Sequence, residues 1–235
     1  MFFKTDTAIV LANQFREKLI SWGYSNKIHV ESTIVDEKSF TGISEEYLNN
    51  KYKNLSGNFN LLYLARVEKK KGIYETIDTF RIVAGDYPGM TLTIAGDGKE
   101  LENVKQYVAS KQIEGVEFIG HVAGQRKTET YMAAHLYIFP SYTEGMPNSV
   151  VEAMAFGLPV ISSPVGGISD LITDGQNGYL TASKDPEQIG LLVRRIVSDN
   201  KLMTEMAINN HFTARDKFTI SATVKRLEKI YKELI

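Results

Sequence analysis

A chain of 235 residues has room for one large domain, or for one domain with part of another, at roughly 100–200 residues per domain. Apolar residues make up 43%, enough for a sizeable core, and Lys+Arg 27 against Asp+Glu 28 leaves a formal charge of −1, which argues against a general nucleic-acid binder. Cysteine is absent, which excludes disulfides, thiolate metal sites and cysteine nucleophiles, and fits a reducing cytoplasm.

At the start, one early lysine is followed by Asp6, and the apolar stretch Ala8–Ala12 is too short for a signal peptide. No run reaches the roughly 18 apolar residues that a membrane span needs. The first 36 residues read as one strand–helix–strand piece: a strand over Ala8–Ala12, a helix over Asn13–Trp22 and a strand over Lys27–Val30. Such a piece is too small to bury its own faces. Glu37–Gly57 is polar and rich in Asn and Gly, and reads as a linker or an irregular hinge.

From residue 58 short apolar runs alternate with helical periodicity. Strands are predicted at Asn60–Ala65, Thr91–Ala95, Val116–Ile119, Leu136–Phe139 and Pro159–Ser162. Helices are predicted over Gly72–Ala84, Glu100–Lys111, Lys127–Ala133 and Asn148–Phe156, then over Pro186–Ser198, Lys201–Ala214 and Ser221–Leu234. Strands apolar on both faces, separated by helices, predict a doubly wound parallel sheet with helices at its carboxyl terminus. The domains are therefore 1–36, a fragment; 37–57, a linker; and 58–235, a complete α/β domain. The alternative is that residues 1–55 add edge elements to the same sheet. The basic amphipathic end, Lys225–Ile235, fits a helix capping its own domain, or one touching a membrane surface.

Chemistry concentrates in Ser141–Gly167, SYTEGMPNSVVEAMAFGLPVISSPVGG. Pro140 ends the preceding strand, so Ser141–Met146 lies at a strand's carboxyl end, where open α/β sheets bind ligands. Pro147 suits the start of a helix, Gly157 its left-handed end, and Pro159 blocks its continuation. The free N–H groups near Asn148 and Ser149 suit a phosphate. Glu144 and Glu152 bracket that helix start, and carboxylates accept hydrogen bonds from vicinal sugar hydroxyls. Together these features point to a ligand with both sugar and phosphate. Arg66 and Lys71, in RVEKKKG after the first strong strand, can neutralise a diphosphate, while Lys69 and Lys70 read as solvated.

The segment EGMPNSVVEAMAFGLPVI resembles the donor-binding signature of retaining glycosyltransferases of the GT-B fold, family 4 or group 1 type. LARVEKKKG is similar to that family's basic motif, with Ala65 where glycine is usual, and IAGDGKELE, VEFIGHV and PVGGISDLITDGQNGYL follow in the family's order. The resemblance covers roughly residues 58–235, and 8–36 more weakly. It implies a Rossmann-like domain, the C-terminal half of a GT-B fold. It also implies that Arg66 and Lys71 hold the diphosphate, that Glu144 contacts the donor sugar in a loop with Gly145 and Met146, and that the N–H groups of Asn148 and Ser149 meet phosphate oxygens. Glu152 would bind the ribose and Val122 the base, with Gly96 and Gly98 leaving room near the nucleotide. Arg66, Lys71 and Glu144 are then the catalytic residues.

The implied reaction transfers a sugar with retention from a nucleotide such as a UDP- or GDP-hexose to a hydroxyl, as in polysaccharide biosynthesis. The nucleotide sugar is a substrate; no cofactor and no metal are implied. The acceptor half and its histidine have no matching positions, so residues 1–36 read as a remnant of an N-terminal acceptor domain. His29, His121, His135 and His211 are assigned structural or solvent roles. The chain alone is expected to transfer sugar weakly or not at all, with a missing N-terminal domain or partner chain completing it. It is placed in the cytoplasm, with the parent enzyme peripheral at the inner face of the membrane as a further option. Two alternatives stay open: a non-catalytic nucleotide-sugar-binding subunit of a split enzyme, and a nucleotide-sugar epimerase on the same fold.

Overall fold

The computed structural model describes residues 5–53, 55 and 57–234. The first four residues, two positions of the expected linker (54 and 56) and the last residue of the expected amphipathic end, Ile235, lie outside the described residues. Six parallel strands form the main sheet: β3 (Asn60–Leu64), β4 (Thr91–Ala95), β5 (Val116–Gly120), β6 (Leu136–Phe139), β7 (Val160–Ser162) and β8 (Gly178–Leu180). Their order is β5-β4-β3-β6-β7-β8. The chain therefore starts in the middle at β3, winds outward to β5, and returns to the other side of β3 to build β6, β7 and β8. That reversal opens a crevice at the carboxyl ends of β3 and β6.

The apolar runs are strands because both sheet faces are covered. All four residues of β6 are buried, as are Leu61, Leu62 and Tyr63 of β3. Helices α3 (Ile73–Ala84) and α8 (Pro186–Val197) pack against each other, and α6 (Asn148–Ala155) packs on α9 (Asn200–Lys217). The domain also has α4 (Leu101–Ser110), α5 (Gly124–Ala133) and the short α7 (Ile168–Leu171). The predicted strands and long helices recur within a few residues of their expected bounds. β8 and α7 are additions, three and four residues long, below the length at which periodicity is readable.

One expectation is corrected. The described residues of 37–57 are not an irregular hinge. They contain a 3-10 turn, Glu37–Phe40, and helix α2, Glu45–Lys53, which packs on α9 and buries Leu48 and Tyr52. The Tyr52 hydroxyl lies 2.8 Å from the Gly157 carbonyl oxygen, which ties α2 to the end of α6. The polar composition hid a helix whose buried face is only two side chains wide. At the start of the chain it is the alternative reading that fails, since the fragment adds no edge elements to the main sheet. β1 (Thr7–Val10) and β2 (Lys27–Val30) form their own two-stranded parallel sheet, with α1 (Asn13–Ser21) between them.

The last helix, α10 (Ile220–Lys232), returns to that fragment. Val35 pairs with Thr219, and the Val35 N–H donates to the Phe218 carbonyl at 2.8 Å. Arg226 bonds Glu31 at 2.9 Å, and Lys27 pairs with Glu233. Among the described residues, no helix is long and apolar enough to cross a membrane.

Candidate functional site

A cleft of about 450 Å³ opens at the switch point. Its walls come from the ends of three strands and from two helices. Leu64 ends β3 and Ala65 and Arg66 follow it; Ala95 ends β4 and Gly96 and Asp97 follow it; His121 and Val122 follow β5. Lys127 comes from α5, and Asn148, Ser149 and Glu152 come from α6. Of the residues singled out from sequence, the structure thus gathers Arg66, Gly96, Val122, Asn148, Ser149 and Glu152 around one space.

Helix α6 starts there because Pro147 stands at its cap with extended ψ, and no side chain caps the first turn. The leading N–H groups of the helix, with its partial positive charge, lie at a cleft wall and suit an anion. The Asn148 side chain is engaged elsewhere, accepting from the Thr33 hydroxyl. The Tyr137 hydroxyl lies 2.9 Å from both the Leu64 carbonyl oxygen and Ser149 Oγ, which locks α6 to the end of β3. Burial raises the Tyr137 pKa, so it stays a neutral phenol. At the other end of α6, Gly157 adopts φ +67° and stops the helix as expected.

Glu152 is preset. Lys127 Nζ donates to its Oε1 at 2.7 Å, and the Tyr131 hydroxyl donates to its Oε2 at 2.9 Å. Tyr131 is fully buried and stacks on Phe156 with centroids 5.1 Å apart, so the carboxylate cannot swing freely. Arg66 is open, its side chain 65% exposed and 3.3 Å from Glu68.

Lys71 and Glu144 lie outside that lining and meet each other instead. Lys71 Nζ donates to Glu144 Oε1 at 2.6 Å, with side chains only 12% and 7% exposed. Ser141 Oγ donates to the same carboxylate oxygen at 2.6 Å. Glu144 faces a second cleft, about 550 Å³, whose far wall is Gln14, Phe15, Glu17 and Lys18 of α1. The two candidate regions thus line separate clefts, and the ammonium of Lys71 keeps further N–H groups beyond the one given to Glu144.

Gly96 and Gly98 also have a backbone reason. A Cβ on Gly96, at φ +149°, would stand 1.9 Å from the Ala65 carbonyl oxygen, and one on Gly98 2.4 Å from that of Val67. These glycines make room for the neighbouring backbone that carries Arg66, and Gly98 does not line the cleft. Around Gly145 there is open space. Met146 packs against Gly167, where an added Cβ would lie 2.2 Å from its Cε.

Sequence reasoning missed Lys127, Tyr131 and Tyr137. Each reaches the site across a sheet or from a helix, and no local motif marks it. His121 is exposed and lines the cleft. His135 and His211 are structural: His135 Nδ1 accepts from the Asn60 N–H at 2.9 Å, and His211 Nδ1 lies 2.7 Å from the Ala155 carbonyl. Burial lowers the His135 pKa to about 4, helped by the charge of Lys51.

A doubly wound parallel sheet with a helix terminus, an arginine and a carboxylate around its switch-point cleft defines a Rossmann-like domain of the GT-B kind. The family described as "Glycosyl transferases group 1" matches residues 45–211, and the chain belongs to that family. It is 26% identical over 227 residues to the capsular polysaccharide biosynthesis glycosyltransferase CapM of Staphylococcus aureus, covering 96% of this chain and 57% of that one. Among solved structures, Anabaena Alr3699/HepE in complex with UDP superposes with a TM-score of 0.83 at 20% identity, over 97% of this chain and 64% of that one. The C-terminal domain of the group 1 family protein LpcC from Francisella tularensis superposes with a TM-score of 0.67 at 26% identity, covering 79% of this chain and 99% of that domain. The chain thus spans little more than half the length of CapM.

Proposed function

We propose that this chain is the donor-binding part of a retaining glycosyltransferase that takes its sugar from a nucleoside diphosphate sugar. One observation carries the reading: Arg66, the uncapped start of α6 and Glu152 face a single cleft at the sheet's switch point. Arg66 and the N–H groups of Asn148 and Ser149 hold the diphosphate, Glu152 the ribose, and Val122 the base edge. The Lys71–Glu144 pair stands where diphosphate and sugar join. Lys71 answers the negative charge that grows on the leaving phosphate, and Glu144 orients the sugar hydroxyls. The chain's part in the reaction is charge stabilisation and positioning, with the two cations in the role that a metal ion has elsewhere. A UDP complex of one structural neighbour and the polysaccharide-related name of one relative support a nucleotide-sugar donor.

The acceptor is held on the other side of the second cleft, by α1 and by a domain or partner chain that covers it. Ile9, Leu11, Ile20 and Trp22 are 42–59% exposed on the β1–α1–β2 unit and suit such a cover. A split enzyme whose partner chain supplies that cover rests on the same exposed face. Titration calorimetry of the chain with UDP and GDP tests the donor reading. Saturable binding of one of them is expected, and Glu152→Ala is expected to weaken it by about 1–3 kcal/mol. A folded chain that binds neither nucleotide would overturn it.

A further inference from the structure

Lys184, in the loop between β8 and α8, lies two strands away from β6 yet grips the segment that leaves it. Its Nζ donates to the Pro140 carbonyl at 3.0 Å, to the Ser141 carbonyl at 2.8 Å and to Ser163 Oγ. It also stands 4.7 Å above the Tyr142 ring. An ammonium has three N–H donors, and all three are engaged here. None of the acceptors is a carboxylate. Burial accordingly lowers the Lys184 pKa, with Glu75 opposing the shift. A half-buried cation bonded only to neutral oxygens is costly.

What the cation holds is informative. The Ser141 carbonyl is its partner, and the Ser141 hydroxyl is a partner of Glu144 at 2.6 Å. On its other side the segment is fastened to the basic turn, the Tyr142 N–H donating to the Lys70 carbonyl at 2.9 Å. The same turn carries Lys71, which bonds Glu144. The segment Pro140–Glu144 is therefore held between two cationic anchors, Lys184 from beyond β7 and the 69–71 turn after β3. We propose that Lys184 is a positioning residue for Glu144, setting through Ser141 where that carboxylate meets the donor sugar. This rests on the donor reading above and adds to it a residue that touches neither sugar nor nucleotide.

The test compares affinities for UDP and UDP-glucose in the full chain, with GDP and GDP-mannose in their place if the wild type selects guanine. Lys184→Met is expected to lower the ratio of nucleotide-sugar to nucleotide affinity about tenfold, the effect of one misplaced hydrogen-bonding group. Glu144→Ala is expected to lower it similarly, and the double variant no further, because the two changes act through one carboxylate. Lys184→Gln, which keeps an amide donor, carries the measurement if the methionine variant does not fold. An unchanged ratio, an additive double variant, or equal loss of both ligands together with a lowered melting temperature would overturn the proposal. A wild type that binds no nucleotide overturns the donor reading itself and removes this inference with it.

Discussion

The β1–α1–β2 unit and the β3–α3–β4 unit share one local pattern, strand, helix and parallel strand, and differ in what holds them. No residue of β1, α1 or β2 is buried. In the second unit Leu61, Leu62 and Tyr63 of β3, six residues of α3 and four of β4 are buried. The first unit is tied down by polar contacts instead: Asn13 to Asp170 at 2.7 Å, Arg226 to Glu31, and Lys27 to Glu233. A strand–helix–strand pattern encodes its own secondary structure, but its stability comes from what covers its faces.

The sharpest way to break this comparison is to remove equivalent apolar groups from the two units. Leu61→Ala, in the fully buried β3, is expected to cost roughly 3–4 kcal/mol in urea unfolding. Leu11→Ala, 49% exposed beside β1, is expected to change stability by under about 0.5 kcal/mol. Equal costs would mean that the first unit has a core of its own.

A second test is acidification. His135 is neutral in the fold, with a pKa of about 4, and takes up a proton near pH 6.5 when unfolded. The unfolded state therefore binds more protons between those values. Stability falls as pH drops from about 6.5 towards 4, by roughly 2–3 kcal/mol at the bottom of that window. His211, whose pKa burial also lowers, adds in the same direction. His135→Gln is expected to flatten most of this slope in melts from pH 7 to 4.5. The loss belongs to the main domain, because His135 joins β3 to the start of β6 through the Asn60 N–H.

The smallest effect concerns the polar tether. Arg226→Ala is expected to lower global stability by no more than about 1 kcal/mol, since its side chain is 38% exposed. Limited proteolysis is the finer readout. Cleavage around Glu31–Ile34 is expected to speed up while the six-stranded domain survives. Uniform resistance would show that the fragment is held by more than its ion pairs.

Much of the architecture was legible in the chain. Five of the six main strands were apolar on both sides and bounded by Gly, Pro or polar turns, which leaves little choice but a covered parallel sheet. The helix start at Pro147 and its end at Gly157 also followed from local chemistry, because each depends on a few adjacent residues. Helix α2 escaped detection because it buries only Leu48 and Tyr52, a signal too sparse to separate from a polar linker.

Only the tertiary structure decided who meets whom. The sequence spaces Lys71 and Glu144 apart by 73 positions, and Lys127 and Glu152 by 25; the parallel winding around β3 makes both pairs into contacts. It likewise assigns Gly96 and Gly98 to backbone clearance and carries Lys184 across the ends of three strands. Helix periodicity and turn chemistry are short-range properties written in neighbouring residues. Ion pairs between elements depend on strand order, which is settled by burying the whole sheet at once.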